Sequence, residues 1–158
     1  MFMQEVNEMA RILVIEDEEL LRNLYAELLE MKGFKVDTST DGQHALDFLE
    51  EKKPDLMLLD VNMPNLDGVE FLRKINRDER LRKIPVLLIT GVIQVEKISA
   101  CLDLGAVGYI EKANSPVEVM SKIEMVLGAV INTPNNDNSF NNSSPKKMKM
   151  GDLDIKSI

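Results

Sequence analysis

The chain has 158 residues, 44% of them hydrophobic and 29% charged, an ordinary globular mixture with the length of one domain. Its formal net charge of −8 is uneven: residues 132–158 hold four lysines and three aspartates, so residues 1–131 carry −9, a surface that repels phosphate backbones and argues against direct nucleic-acid binding. One cysteine, Cys101, excludes an internal disulfide and any multi-cysteine metal site. No window approaches the roughly 20 apolar residues of a membrane span.

Short apolar runs alternate with longer amphipathic ones. "MFMQEVNEM" (1–9) is an N-terminal extension without a basic signal region, and the expected location is the cytoplasm. "RILVIE" (11–16) reads as a strand. Residues 19–33 place apolar side chains at 20, 21, 24, 28 and 29, a helical spacing that stops at Gly33. "FKVDT" (34–38) is a short strand, and 41–52 a helix capped by Asp41 with Ala45, Leu46, Phe48 and Leu49 inward. "DLMLLD" (55–60) is a strand, 68–78 a helix and "IPVLLIT" (84–90) a strand. Residues 94–105 form a helix ending at Gly105, followed by a strand over 107–112. The last helix, 115–131, starts on Ser115 with Pro116 in its first turn and Glu118 as reciprocal partner in a capping box.

Five βα units result. The strand runs 12–15, 56–59 and 86–89 are apolar without alternation, as expected of a parallel sheet covered on both faces. The expected architecture is a doubly wound α/β sandwich over residues 10–131, flavodoxin-like with strand order 2-1-3-4-5. Residues 132–158, rich in Asn and Ser, are read as a flexible tail, with no length left for an output domain.

Ligands of such sheets bind beyond the carboxyl ends of the strands. There the first strand delivers Glu16 and Asp17, the third Asp60, the fourth Thr90 and Gly91, and the fifth Lys112. Singly, each has an ordinary structural role: Asp17 as a helix cap, Asp60 as the start of a turn, Thr90 and Lys112 as strand-end residues. Together they gather carboxylates that repel one another unless a cation relieves them, and a hard ion such as Mg²⁺ prefers oxygen ligands.

This constellation resembles the receiver domain of response regulators, the phosphoacceptor of two-component signalling. The matching residues are the acidic pair Glu16-Asp17, Asp60 within "LLDVNMPNLDGVEF", Thr90-Gly91 within "LITG" and Lys112 within "GYIEK". The separations from Asp17 to Asp60, Thr90 and Lys112 in turn are 43, 30 and 22 residues. The resemblance implies that Asp60 accepts a phosphoryl group from a sensor histidine kinase or a histidine phosphotransfer protein. Glu16, Asp17, Asp60 and the Asn62 backbone carbonyl would hold Mg²⁺. Lys112, the Thr90 hydroxyl and the Gly91 and Asn62 backbones would meet the phosphate. Thr90 and Tyr109 would switch a partner-binding face made of the fourth helix, fifth strand and fifth helix, including Ile98 and Tyr109. Such a protein is a signalling phosphoacceptor rather than a general enzyme, and this one is expected to act alone through protein partners, without nucleic acid or membrane.

The chain departs from the family after Lys112, where proline is usual and Ala113-Asn114 stands. That leaves the geometry of the Lys112–Ala113 bond open. A haloacid-dehalogenase-type hydrolase would need an aspartate where Asn62 stands. A phosphorylation-independent binding scaffold is the serious alternative. Cys101 is read as a core residue, His44 as unsuited to metal binding, and Lys146, Lys147 and Lys149 as a solvated run.

Overall fold

A computed structural model of the chain describes residues 10–91, 94–112 and 114–131. Five strands, β1 (Arg11–Ile15), β2 (Lys35–Ser39), β3 (Leu56–Asp60), β4 (Val86–Thr90) and β5 (Gly108–Glu111), alternate with five helices. These are α1 (Glu19–Met31), α2 (Gly42–Glu51), α3 (Gly68–Asn76), α4 (Val95–Asp103) and α5 (Pro116–Ile131). All pairings are parallel and the order is β2-β1-β3-β4-β5, the flavodoxin-like order expected. The N-terminal extension and the tail lie outside the described residues, as does the Lys112–Ala113 bond.

Every residue of β3 and β4 is buried, which explains why neither strand alternates in sequence. One face packs Ile12, Val14, Leu58, Ile89 and Ile110 against Tyr25 and Leu29 of α1 and Val119, Ile123 and Leu127 of α5. The other packs Leu13, Ile15, Met57, Leu59, Leu88 and Tyr109 against Leu49 of α2, Phe71 and Ile75 of α3, and Ile98 and Cys101 of α4. A single fully buried Leu, Ile or Phe contributes about 1.5–3 kcal/mol by removal from water. The two layers therefore fix the sheet, and the sheet fixes what its edge presents.

The local signals act as read. Asp41 accepts from the His44 amide at 2.8 Å. Ser115 and Glu118 close a reciprocal capping box. Gly33 and Gly105, at φ 95° and 106°, end α1 and α4 in the left-handed region. Leu20 departs from expectation: it is 80% exposed, and Tyr25 takes the inward position with Leu29. Leu20 lies one residue off the stripe of 21, 25 and 29, so the helix turns it to solvent.

In the turn after β3 the left-handed residue is Asn65, at φ 70°. Gly68 serves close approach: its amide donates to the Val61 carbonyl at 3.0 Å, and a Cβ there would meet Val61 Cα at 3.0 Å. Asp67 caps α3 by accepting from the Glu70 amide.

Candidate phosphoacceptor site

Four segments meet at the carboxyl edge of the sheet. β3 is central, and its last residue, Asp60, stands beside Ile89 of β4 and is 2% exposed. Glu16 follows β1 directly. Its amide donates to the Ser39 carbonyl of β2 at 3.0 Å, and the residue is fully buried. Asp17, next along, is exposed. One carboxylate oxygen from each of Glu16, Asp17 and Asp60 lies within 4.8 Å of the other two.

Lys112, just past β5, faces them. Its Nζ is 2.6 Å from Glu16 Oε1 and 3.1 Å from Asp60 Oδ2. The other Asp60 oxygen accepts from the Asn62 amide at 3.1 Å, so both oxygens of the carboxylate are fixed in direction. Thr90 is buried at the end of β4, and its carbonyl accepts from the Lys112 amide at 2.8 Å. Gly91 leaves the site open: even a Cβ there would touch only the Lys112 stem, at 3.6 Å. Arg22 of α1, unremarked in the sequence, donates to the Glu16 and Asp17 carbonyls. It holds the acidic turn by its backbone and leaves the carboxylates uncovered.

The charges are unequal to one another. Burial pushes Glu16 up to about 8; Lys112 opposes the shift and Asp60 adds to it. Burial also raises Asp60, against hydrogen bonding from Glu16 and the charge of Lys112. Burial would raise Asp17 as well, but hydrogen bonding with Glu16 and Asp60 outweighs it and holds Asp17 low. Lys112 is raised: burial acts against its charge, and the two carboxylates overcome that. One ammonium thus fails to satisfy this group of acids. The all-oxygen donor set suits a hard divalent cation such as Mg²⁺, which Glu16, Asp17 and Asp60 could hold.

Residues 12–124 match the family described as response regulator receiver domain. The chain belongs to that family. Among similar proteins is the alkaline phosphatase synthesis transcriptional regulatory protein PhoP of Bacillus subtilis, 34% identical over 146 residues, covering 92% of this chain and 60% of that protein. Another is the phosphate regulon transcriptional regulatory protein PhoB of Escherichia coli, 37% identical over 117 residues, 74% of this chain and 51% of that protein. The chain thus spans about half to three-fifths of the length of these relatives. Among solved structures, the signal receiver domain of a signal transduction histidine kinase from Syntrophus aciditrophicus superposes with a TM-score of 0.70 at 30% identity, covering 80% of this chain and 96% of that one. The chemotaxis response regulator CheY4 of Vibrio cholerae gives 0.70 at 28% identity, covering 75% and 99%.

For this receiver domain the sequence-derived set Glu16, Asp17, Asp60, Asn62, Thr90, Gly91 and Lys112 lies at one sheet edge. Two expectations about the readout face need correction. Ile98 is fully buried and Tyr109 is 1% exposed, so neither forms a surface. Ile98 and Cys101, three apart, share the inward face of α4, and Tyr109 points from β5 into the same layer. Among the exposed residues of α4 and α5 are Val95, Val117 and Met125. No described helix is long and apolar enough to cross a membrane.

Proposed function

We propose that this receiver domain is a phosphoacceptor whose Asp60 takes a phosphoryl group from a histidine kinase, a histidine phosphotransfer protein or a small phosphodonor. The observation that carries this reading is the fixed carboxylate of Asp60, with one oxygen toward Lys112 and the other on the Asn62 amide, among the oxygens of Glu16 and Asp17. A carboxylate oxygen of Asp60 attacks phosphorus and an O–P bond forms. The P–N bond of a phosphohistidine, or the P–O bond of an acyl phosphate, breaks and its electron pair leaves with the donor.

Glu16, Asp17, Asp60 and the Asn62 carbonyl would hold Mg²⁺, which offsets the negative charge of the incoming group. Lys112, beside Asp60, would bind a phosphoryl oxygen, and its ammonium would stabilise charge that grows during transfer. The backbone amides at Asn62 and Gly91 offer further donors, and Gly91 has no side chain to obstruct them. The Thr90 hydroxyl approaches the product, an aspartyl phosphate carrying about −1.5 to −2 charges. Tyr109 occupies the layer beneath α4, where a change at Thr90 reaches the α4-β5-α5 face that a downstream protein reads. A cytoplasmic location fits this chemistry.

Intact-mass spectrometry tests the proposal. With Mg²⁺ and acetyl phosphate the wild-type protein gains one phosphoryl group; Asp60→Asn gains none, and chelation of the cation prevents the gain. Wild-type protein that stays unmodified with acetyl phosphate, phosphoramidate and a phosphorylated histidine donor would overturn it in favour of a binding scaffold.

A further inference from the structure

Asn62 is fastened at both ends. Its amide donates to Asp60 Oδ1 at 3.1 Å, and its side-chain oxygen accepts from the Lys97 ammonium of α4 at 3.3 Å. The two residues stand 35 apart in sequence, and both are half-buried. Lys97 holds its place because α4 is anchored just beyond it: Ile98 follows immediately and Cys101 one turn later, and both are fully buried. Its stem therefore starts at the border of the packed face, and its charged end reaches out along the sheet edge.

The segment between Asp60 and Asp67 turns through Pro64 and the left-handed Asn65, and at its far end the Gly68 amide donates to the carbonyl of Val61, just past β3. Within this turn, the Asn62 side chain carries a hydrogen bond from α4.

We infer that Lys97 is a positioning residue for phosphoryl transfer: from α4 it holds Asn62, and through Asn62 it sets the direction of the Asp60 carboxylate. The inference rests on Asp60 being the phosphoacceptor. A hydrogen bond from a charged donor is directional and stronger than a neutral one, so losing it frees the Asn62 side chain and loosens the amide that faces Asp60. Coupling of this kind is reciprocal. A phosphoryl group on Asp60 alters the hold on Asn62 and thereby the position of α4.

The test is a double-variant cycle on the described protein, read as the initial rate of phosphorylation by acetyl phosphate with Mg²⁺. Lys97→Met, which keeps the stem and removes the charge, slows the reaction about tenfold, the scale seen when a residue supporting a ligand is removed. Asn62→Ala slows it to a similar degree, and the double variant is no slower than either single one. Lys97→Arg restores most of the rate, and the Lys97→Met loss persists at high potassium chloride, where a bulk charge effect would be screened. Losses that multiply in the double variant, a loss that disappears at high salt, or an unchanged Lys97→Met rate would overturn the inference. Should the wild type accept no phosphoryl group at all, the Asn62 amide resonance of the unmodified protein decides separately. It shifts in Lys97→Met if the hold is real, and an unmoved resonance overturns it. Thermal melting of Lys97→Met, Lys97→Arg, Asn62→Ala and the double variant shows whether each is folded before its rate is read.

Discussion

Two acidic places lie along the carboxyl edge of the sheet, and they behave oppositely. One is a hollow of about 620 Å³ at the β2–α2 corner, lined by Thr40, Asp41, Gln43, His44, Asp47, Asn65, Leu66 and Lys74. The other is the tight knot of Glu16, Asp17, Asp60 and Lys112. The hollow holds the chain's one histidine, yet several of its polar side chains are met by near neighbours. Asp41 caps α2, Asp47 accepts from Gln43 one turn before it, and His44 Nδ1 meets Ser39 Oγ at 3.0 Å. In the knot, carboxylates from β1 and β3 face one another under burial, and relief comes from a residue 52 positions from Asp60. Perturbed charges that cannot be settled by near neighbours are the mark of a reactive place.

That contrast can be broken experimentally, first and most severely at Lys112. Lys112→Met removes the ammonium shared by Glu16 and Asp60. Phosphorylation by acetyl phosphate should fall about 100-fold or more, as when a donor to developing charge is deleted. The cation-free protein should also lose about 3 kcal/mol of stability at pH 8, because two buried acids are left facing each other. Rates by intact mass and denaturant midpoints measure the two effects. An unchanged rate would mean that the ion pair is structural only.

A smaller effect, with a definite sign, is expected at Glu16. Its folded-state pKa is raised from 4.5 to about 8, so between those values the folded protein binds a proton that the unfolded chain has released. Stability from this source is complete below pH 4.5 and is lost as pH climbs to about 8. Asp60 is shifted in the same direction and adds to the loss, whereas the lowered Asp17 has the opposite sign at the acidic end. Glu16→Gln should flatten the pH profile of the cation-free protein and raise its melting temperature at pH 8 by about 5 °C. Mg²⁺ should stabilise the wild type more than this variant. Melting curves at pH 5 and pH 8, with and without Mg²⁺, distinguish these outcomes.

The smallest effect belongs to the hollow. His44→Ala loses the contact with Ser39, worth about 1 kcal/mol, and should leave the acetyl phosphate rate within error of wild type. A large loss of rate would make the hollow part of the reacting site and erase the distinction between the two places.

Much of this was legible in the chain because parallel strands end in one plane. Once "RILVIE", "DLMLLD", "IPVLLIT" and "VGYIEK" are strands, Glu16, Asp60, Thr90 and Lys112 must gather, whatever the details of packing. Caps and stops were legible for the same reason: Asp41, Gly33, Gly105 and the Ser115–Glu118 box act within a few residues of themselves. Contacts across elements were not. The grip of Lys97 on Asn62 and of Arg22 on the acidic turn depends on how helices are rotated, and a helical pattern locates a face only to within a residue or so. Ile98 was assigned to the surface and Leu20 to the helical stripe for that reason; Tyr109, on β5, was assigned to the surface through the family resemblance and lies buried in the layer beneath α4. Lys122 shows the limit most clearly. It is 1% exposed among the apolar residues of α5, a burial that no rule of composition would choose for a lysine.

The main-chain bond from the Lys112 amide to the Thr90 carbonyl ties the two ends of β4 and β5 into one rigid seam. Neither strand can slip along the other without breaking that link. Motion that follows modification of Asp60 is therefore expected to run through side chains and helices, with β5 keeping its register on β4.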